Sequence, residues 1–140
     1  MNAAIRLLVR RRARGRCEYC LLPETLSYVA HHIDHILAVK HGGSDLEENL
    51  ALACSKCSLG KSANLASVDF QTGKLTRLFH PRKDRWHDHF EWVGPLLLGI
   101  SPIGRATVHC LNINDKYRIA IRRKYIDQGL FPPVDEQGES

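Results

Sequence analysis

Two Cys-x-x-Cys pairs constrain this chain more than any other feature of its sequence. They place Cys17 and Cys20 at one end of a central stretch and Cys54 and Cys57 at the other. A two-residue spacer lets a tight turn point both sulfur atoms of a pair inward, and four thiolates form the closed tetrahedron of a structural zinc site. The sequence therefore predicts one structural Zn²⁺ held by these four side chains. The spacer between the pairs is longer than in common zinc fingers, so it must carry a sizeable substructure.

The cysteine count favours metal binding over disulfide bonds. The 140 residues include five cysteines, of which four pair by spacing and Cys110 is left over. Where the sequence shows neither an export signal nor an apolar run long enough to span a membrane, such pairs are typical of metal sites in a reducing compartment. We therefore expect a cytoplasmic protein that does not enter membranes. Cys110 is expected to be a buried thiol on a helix.

The segment between the cysteine pairs predicts a β-hairpin followed by a helix. Residues 29–39 are mostly apolar and β-compatible, and Leu50–Ala53 is suited to a short return strand after a His-Gly-Gly loop. Residues 57–65 can turn helical, with Lys56 and Lys61 on the exposed side. The zinc would then tie the start of the stretch to this helix.

Three polar side chains of the first strand are candidates for chemistry. In a strand, His32 and Asp34 share one face while His35 lies on the other. Asp34 and His35 can therefore reach one site only near a strand end or a distortion, which the following loop could provide. His31, next to them, is expected at the surface or facing a nucleic acid.

The motifs H-I-D-H-I, H-G-G, N-L and C-x-x-C-S-x-x-K occur here in an order and spacing that resemble the HNH endonucleases, a family with a ββα-metal fold. The resemblance covers roughly residues 16–65 and is specific, because several separate elements agree. It lies closest to the four-cysteine zinc branch, and the remainder is similar to the C-terminal extension of a bacterial subgroup. The expected fold class is α+β, with residues 1–66 forming the zinc-stabilised module behind an N-terminal helix. Residues 67–140 form an extension packed on it, with β-hairpins and then two helices.

The resemblance implies a role for each matching residue. Asp34 is implied as the ligand of a catalytic divalent cation such as Mg²⁺, His35 as the general base, and Asn49 as the residue that braces the loop and orients the histidine. Imidazole suits this base role because its unperturbed pKa is about 6.5. Mg²⁺ prefers oxygen ligands and keeps several waters, so one carboxylate and a substrate phosphate can suffice.

The sequence departs from the family pattern at Ser58. The residue after the last cysteine is usually His or Asn and completes the metal site, whereas a hydroxyl is a shorter and weaker ligand. His32, on the same strand face as Asp34, is either a replacement ligand or, as we favour, a hydrogen-bonding support. Two functions therefore remain: an endonuclease, or a zinc-stabilised nucleic-acid-binding module whose catalytic metal site has decayed. The intact Asp34, His35 and Asn49 favour the endonuclease.

The charge pattern suits a polyanionic partner. The net charge is +5 with a pI of about 9.1, and residues 1–16 hold six arginines and no acid. Arg10, Arg11, Arg14 and Lys61 are candidates for phosphate contacts, although a solvated basic face on the zinc module explains the arginines equally well. The expected partner is DNA, with RNA not excluded, cut by nicking or by cleavage of weak specificity in a bacterial or phage setting. The oligomeric state is left open.

The extension carries clear element signals. Residues 68–79 predict a hairpin, and Phe90–Val93 with residues 96–100 predict a second one. Ser101 and Pro102 predict the start of a helix over residues 103–111. Trp86, Phe90 and Trp92 are expected to be core or lid aromatics.

A last helix is predicted from Asp115 to about residue 128. Its basic residues are expected to face solvent, with nucleic-acid contact as the alternative. The acidic segment after Pro133 is expected to fray. The residues assigned to the solvent side are Lys116, Arg118, Arg122, Arg123 and Lys124, and those assigned to the apolar side are Ile119, Ala120, Ile121, Tyr125 and Ile126.

Overall fold

The computed structural model describes residues 1–134 and shows an α+β fold, as predicted. The acidic segment that was expected to fray lies largely outside these residues. No helix in the described part of the chain is both long and apolar enough to cross a lipid bilayer. The elements follow the order α1 (Ala3–Arg12), β1 (His32–His35), β2 (Leu50–Ala53), α2 (Ser55–Lys61), β3 (Ala66–Asp69), β4 (Lys74–Arg77), β5 (Phe90–Val93), β6 (Leu96–Gly99), α3 (Pro102–Cys110) and α4 (Lys116–Asp127).

Helix α1 begins at a side-chain cap and packs on the central hairpin. The Asn2 side chain accepts a hydrogen bond from the Ile5 amide at 2.9 Å, which satisfies one of the free donors of the first turn. Val9 is fully buried and packs in a small cluster with Leu50 and Leu52. The predicted N-terminal helix is therefore confirmed, with Ile5 and Val9 packed against β2.

The central hairpin pairs β1 with β2 in antiparallel register, with Asp34 opposite Ala51 and His35 opposite Leu50. The first strand is much shorter than residues 29–39, because the chain turns away after His35 towards a short helical turn at Val39–His41. Helix α2 begins at Ser55, two residues before the predicted start, and ends at Lys61, four residues before the predicted end. Strand, loop, strand and helix nevertheless follow the predicted order.

The extension forms two further hairpins and two helices. Strands β3 and β4 pair with each other, as do β5 and β6, close to the predicted positions. Helix α3 begins as predicted, because the Ser101 hydroxyl accepts a hydrogen bond from the Gly104 amide at 2.9 Å. Its first turn lies directly on β6: a Cβ added at Gly99 would meet Arg105 N at 2.2 Å. Glycine is therefore required at this crossing.

One buried cluster joins the module to the extension. All four paired cysteines and Tyr19 pack in the same cluster as aromatic and aliphatic side chains of the extension. The Trp86 indole N–H donates to the Tyr19 carbonyl at 2.9 Å, between the two halves of the chain. The extension side chains in this cluster are Leu78, Phe79, Trp86, Phe90, Leu97, Leu111 and Ile113. Trp86 and Phe90 are thus core aromatics, and Trp92 packs partly buried against them, as predicted.

Helix α4 buries two of the basic residues that were assigned to its solvent side. Arg118 and Arg122 are buried at 8% and 4% exposure, whereas Ile121 is 49% exposed and Ala120 is exposed. The two arginines lie four residues apart and so share one face, and that face turns inward. The prediction of a solvent-facing basic side is therefore wrong for these two residues. The physical reason is that backbone carbonyls, an amide oxygen and a cysteine sulfur lie on that side and accept hydrogen bonds from the guanidinium groups.

Candidate functional site

The four paired cysteines converge on one point. Their sulfur atoms all lie within 4.8 Å of one another, and Cys20 Sγ lies 3.7 Å from Cys54 Sγ. A zinc–sulfur bond of about 2.3 Å gives a regular tetrahedron with an edge of about 3.8 Å, so this spacing fits a zinc ion. Backbone amides support the turns, since Cys20 N lies 3.5 Å from Cys17 Sγ and Cys57 N lies 3.4 Å from Cys54 Sγ. The ligand set fits a structural Zn²⁺.

The buried thiols do not favour four negative charges by themselves. Burial raises the pKa of Cys17 and of Cys57 well above the usual value of a thiol. Hydrogen bonding from Cys17 lowers the pKa of Cys20 and of Cys54. Four thiolates enclosed together would repel one another, and a divalent cation is what would allow all four to be ionised.

Arg118 of helix α4 reaches this cluster, which sequence reasoning missed. Its Nη2 donates to Cys57 Sγ at 3.0 Å and lies 3.9 Å from Cys54 Sγ, while Nη1 donates to the Leu111 carbonyl at 2.9 Å. Burial lowers the pKa of Arg118, but the nearby sulfur charges outweigh this and raise it above its usual value. The spacing of Arg118 and Arg122 on one helical face was the available signal.

Asp34 lies beneath the hairpin against helix α2. Its side chain is 13% exposed, and Lys61 Nζ lies 3.1 Å from its Oδ2 atom. No hydrogen bond is aligned on Oδ2, although this oxygen is buried. Burial raises the pKa of the Asp34 carboxyl, and the charge of Lys61, with the hydroxyl of Ser58 nearby, opposes that rise. Asp34 and Ser58, both predicted as metal ligands, are therefore brought together.

Lys61 does not lie where it was predicted. We expected it on the exposed side of the helix as a nucleic-acid contact, but it is 2% exposed. Its ammonium group lies against Asp34 and donates to the His35 carbonyl at 2.9 Å. The buried ammonium group of Lys61 has an ion-pair partner and a hydrogen-bond acceptor, both in β1, so Lys61 stabilises this strand. Lys56 is exposed, as predicted.

His35 lies at the end of β1, where the chain turns away, and contacts a residue that sequence reasoning missed. His35 Nε2 lies 2.7 Å from Asp45 Oδ1, with 25% of the His35 side chain and 68% of the Asp45 side chain exposed. This contact lowers the pKa of the Asp45 carboxyl. The sequence feature that could have indicated Asp45 is an acidic residue just after the two glycines, four residues before Asn49. The imidazole is thus held by a carboxylate while part of the ring remains open to solvent.

Asn49 fastens the loop that follows His35. Its Oδ1 accepts from the Leu37 amide at 2.8 Å, and its Nδ2 donates to the carbonyls of Leu37 at 3.0 Å and Ser44 at 2.8 Å. The Asn49 carbonyl also accepts from the Ile36 amide at 2.8 Å. These bonds close the loop between Leu37 and Ser44 next to His35. The Asn49 side chain and carbonyl therefore fasten this loop.

The two other histidines of the first strand differ in burial. His32 is exposed and pairs across the hairpin with Ala53. His31 is 3% exposed, and its Nε2 lies 2.8 Å from the Leu22 carbonyl. The prediction that His31 faces solvent or nucleic acid is therefore wrong, since it fills the space between the first cysteine turn and the hairpin.

The predicted phosphate-contacting arginines have different environments. Arg10 is half-buried, with its Nε 3.3 Å from Glu24 Oε1 and its Nη2 donating to the His31 carbonyl. Arg11 and Arg14 are exposed on α1 and just after it. A cavity of about 310 Å³ beside the end of α1 is lined by further basic residues, including Arg12, Arg16 and Arg85. Positive charge is therefore concentrated at this end of the helix.

A cleft of about 470 Å³ separates the His35 loop from the extension. Gly43 and Asn49 line it on the module side, and His80 and Lys83 line it on the extension side. Arg77 also lines it, paired with Asp84 at 2.7 Å. The extension therefore contributes one wall of the groove beside the candidate catalytic residues.

Comparison with known proteins supports the family resemblance. Residues 17–64 match the family model of the HNH endonucleases. Neither the curated proteins nor the solved structures give a match to the chain. This stretch is therefore similar to an HNH endonuclease domain, and its four clustered cysteines are consistent with the zinc-containing branch. The match indicates a nuclease that acts on nucleic acid, and the predicted family is confirmed over this part of the chain.

Proposed function

We propose that this protein is a metal-dependent HNH endonuclease that hydrolyses phosphodiester bonds in DNA. The observation that carries the proposal is the arrangement around the central hairpin. It holds a partly exposed imidazole at His35, a buried carboxylate oxygen at Asp34 and a braced loop between them and the cleft. We further propose nicking or weakly specific cleavage, in the cytoplasm of a bacterium or of a phage-infected cell.

In this proposal His35 is the general base. Its imidazole would accept a proton from the attacking water, and the Asp45 carboxylate, 2.7 Å away, holds the ring in place. Asn49 fixes the loop that carries Asp45, so that the base keeps its orientation during the reaction. Arg11 and Arg14 would contact the phosphate backbone. Each of these roles is compatible with the position of the residue in the structure.

The donor set suits a hard divalent cation at Asp34. The buried Oδ2 atom has no aligned hydrogen bond, and the Ser58 hydroxyl is a second oxygen beside it. Mg²⁺ takes oxygen ligands and is often held by one or two carboxylates plus the substrate phosphate. When bound, such a cation supplies positive charge at the scissile phosphate and the leaving oxygen. Among residues 1–134 the four cysteines are the one cluster of three or more His, Cys, Asp or Glu side chains suited to a metal ion, so the Asp34 site depends on substrate oxygens.

The alternative function is a zinc-stabilised nucleic-acid-binding module without cleavage. The observation that favours it is the ion pair of Lys61 with Asp34, because an ammonium group already balances the one carboxylate of the site. In that case the basic end of α1 and the cleft would bind nucleic acid, and His35 would have no catalytic task.

A plasmid-nicking assay with and without Mg²⁺ or Mn²⁺ separates the two functions. The parent protein should convert supercoiled to nicked DNA only with the cation. His35→Ala should lose about a hundred- to ten-thousand-fold in rate and keep its DNA affinity. His41→Ala is the matched control, since His41 is an exposed histidine of the following loop. Equal nicking by the parent and by His35→Ala would refute the assignment of the base.

A further inference from the structure

Two arginines of helix α4 are buried without a carboxylate partner. Arg118 and Arg122 are 8% and 4% exposed, and no carboxylate within residues 1–134 forms an ion pair with either. A buried charge is costly unless an opposite charge or several hydrogen bonds compensate for it. What compensates for each guanidinium therefore indicates its task.

The two arginines have different partners. Arg122 Nε donates to the Pro95 carbonyl at 2.8 Å, and its Nη2 donates to the Ile113 carbonyl at 2.8 Å and to Asn114 Oδ1 at 3.2 Å. It also stacks on Trp92, 5.3 Å from the ring centre. These neutral partners hold the turn before α4. These contacts account for the burial of Arg122 without any role at the cysteine cluster.

Arg118 contacts two of the zinc ligands instead. One of its amino groups donates to Cys57 Sγ at 3.0 Å and lies 3.9 Å from Cys54 Sγ, and the other donates to the Leu111 carbonyl. Four thiolates around one Zn²⁺ carry a net charge of −2, and this charge is enclosed in the apolar cluster. A guanidinium 3.0 Å from one of these sulfurs lies where it balances that charge most directly.

We propose that Arg118 is a supporting residue of the zinc centre: its guanidinium, supplied by the C-terminal extension, neutralises part of the thiolate charge and tightens zinc binding. The zinc site of the HNH domain is then completed by a residue 61 positions beyond its last ligand. The extension then has two tasks: it stabilises the metal centre through Arg118 and it forms one wall of the cleft. It does not depend on the protein being a nuclease.

The test measures zinc retention by the full-length protein. Zinc transfer to a chromogenic chelator is followed for the parent, Arg118→Met, Arg118→Lys and Arg122→Met, and the unfolding of each zinc-loaded variant is measured in urea. Arg118→Met should bind zinc about 10- to 100-fold more weakly, as expected when a partner of a metal ligand is lost. Arg118→Lys, which keeps the charge, should recover part of this loss.

Arg122→Met is the matched control, because it removes a buried arginine one turn along the same helix that does not donate to a sulfur. It should lower the unfolding free energy and leave zinc affinity close to that of the parent. Equal loss of zinc affinity in Arg122→Met and Arg118→Met would overturn the proposal, since both would then act through stability alone. If Arg118→Met does not fold, Arg118→Gln takes its place, and parental zinc affinity in that variant would equally overturn it.

Discussion

At the scale of single residues, the contact between His35 and Asp45 raises the question of whether Asp45 orients the imidazole or only stabilises the fold. Asp45 is mostly exposed, so its removal should leave the fold intact. Asp45→Asn should lower kcat about 10- to 100-fold with little change in KM, because the imidazole loses the carboxylate that orients it. Nicking kinetics measure this directly, with Asp127→Asn as an exposed control that makes the same change in charge.

A double variant checks that Asp45 acts through the histidine. In a His35→Ala background, Asp45→Asn should change the residual rate little, since the group that it orients is gone. A further full loss in the double variant would show instead that Asp45 contacts the substrate or the cation by itself.

In the proposed catalytic site, Ser58 should determine how strongly a cation is held beside Asp34. Asparagine offers a carbonyl oxygen that reaches farther from the helix than the serine hydroxyl, so Ser58→Asn should lower the Mg²⁺ concentration needed for half-maximal nicking. Asp34→Ala should abolish nicking, because it removes the one carboxylate of the site. A Mg²⁺ titration of nicking compares these variants with the parent.

The same Mg²⁺ titration also tests whether His32 has replaced the missing metal ligand. If this exposed histidine had replaced the missing ligand, His32→Ala would be as damaging as Asp34→Ala and Ser58→Asn would change little. We expect His32→Ala to shift the Mg²⁺ requirement only slightly. No effect from any of the three variants would remove the catalytic-metal assignment and favour the binding module.

At the scale of elements, Asp69 ties the end of β3 to helix α3. It is fully buried, and the Arg105 guanidinium donates to both of its carboxylate oxygens, at 2.9 and 3.0 Å. Arg105 lowers the pKa of Asp69 to about 2, below the value of about 3.9 expected in an unfolded chain. A carboxyl with a lowered pKa stabilises the folded state above its unfolded pKa and loses this contribution as the pH falls towards the folded value.

The stability difference between the parent and Asp69→Asn should therefore depend on pH. It should be largest above about pH 5 and shrink as the pH falls towards the folded pKa of about 2, because the carboxyl takes up its proton in the unfolded chain at a higher pH than in the folded protein. Urea unfolding at several pH values measures the unfolding free energy of both proteins. Both lose zinc in acid, so this effect cancels when one free energy is subtracted from the other. Asp88→Asn, at an exposed position, should show no such trend, and a constant difference for Asp69→Asn would contradict the assigned ion pair.

The elements also show which parts of this structure a sequence can predict. The cysteine turns, the hairpin, α2 and Asn49 follow from motifs with fixed spacing, and Ser101 and Asp115 mark helix starts through local hydrogen bonds. The sequence predicts Lys61 and Arg118 in solvent, because charged helix residues usually lie there. Their partners lie 27 and 61 residues away in sequence, at Asp34 and Cys57, so local patterns cannot reveal them.

At the scale of the whole molecule, the shared core predicts that zinc removal affects both halves. The cysteines pack with Phe79, Trp86 and Phe90, so loss of the zinc should unfold the N-terminal half and the extension together. Both tryptophans of the chain, Trp86 and Trp92, lie in the extension. A strong chelator should therefore shift tryptophan fluorescence to the red as it lowers helical circular dichroism, in one coincident transition.

The control for this measurement is the chelator together with an excess of Zn²⁺, which should leave both signals unchanged. Retained tryptophan fluorescence beside a loss of secondary structure would show that the extension folds without the zinc module. Zinc absent from the freshly purified, folded protein would contradict the structural zinc site itself.

The contact between Arg118 and Cys57 also bears on how such domains spread between proteins. The recognisable segment ends at residue 64, but the positive charge beside the cysteine cluster comes from helix α4. A recombination event that moved only residues 17–64 into another gene would carry the metal ligands and leave their counter-charge behind. If Arg118 tightens zinc binding as proposed, such a transplant would need a new cation from its host chain to hold zinc as firmly, and the functional unit would be longer than the matched segment.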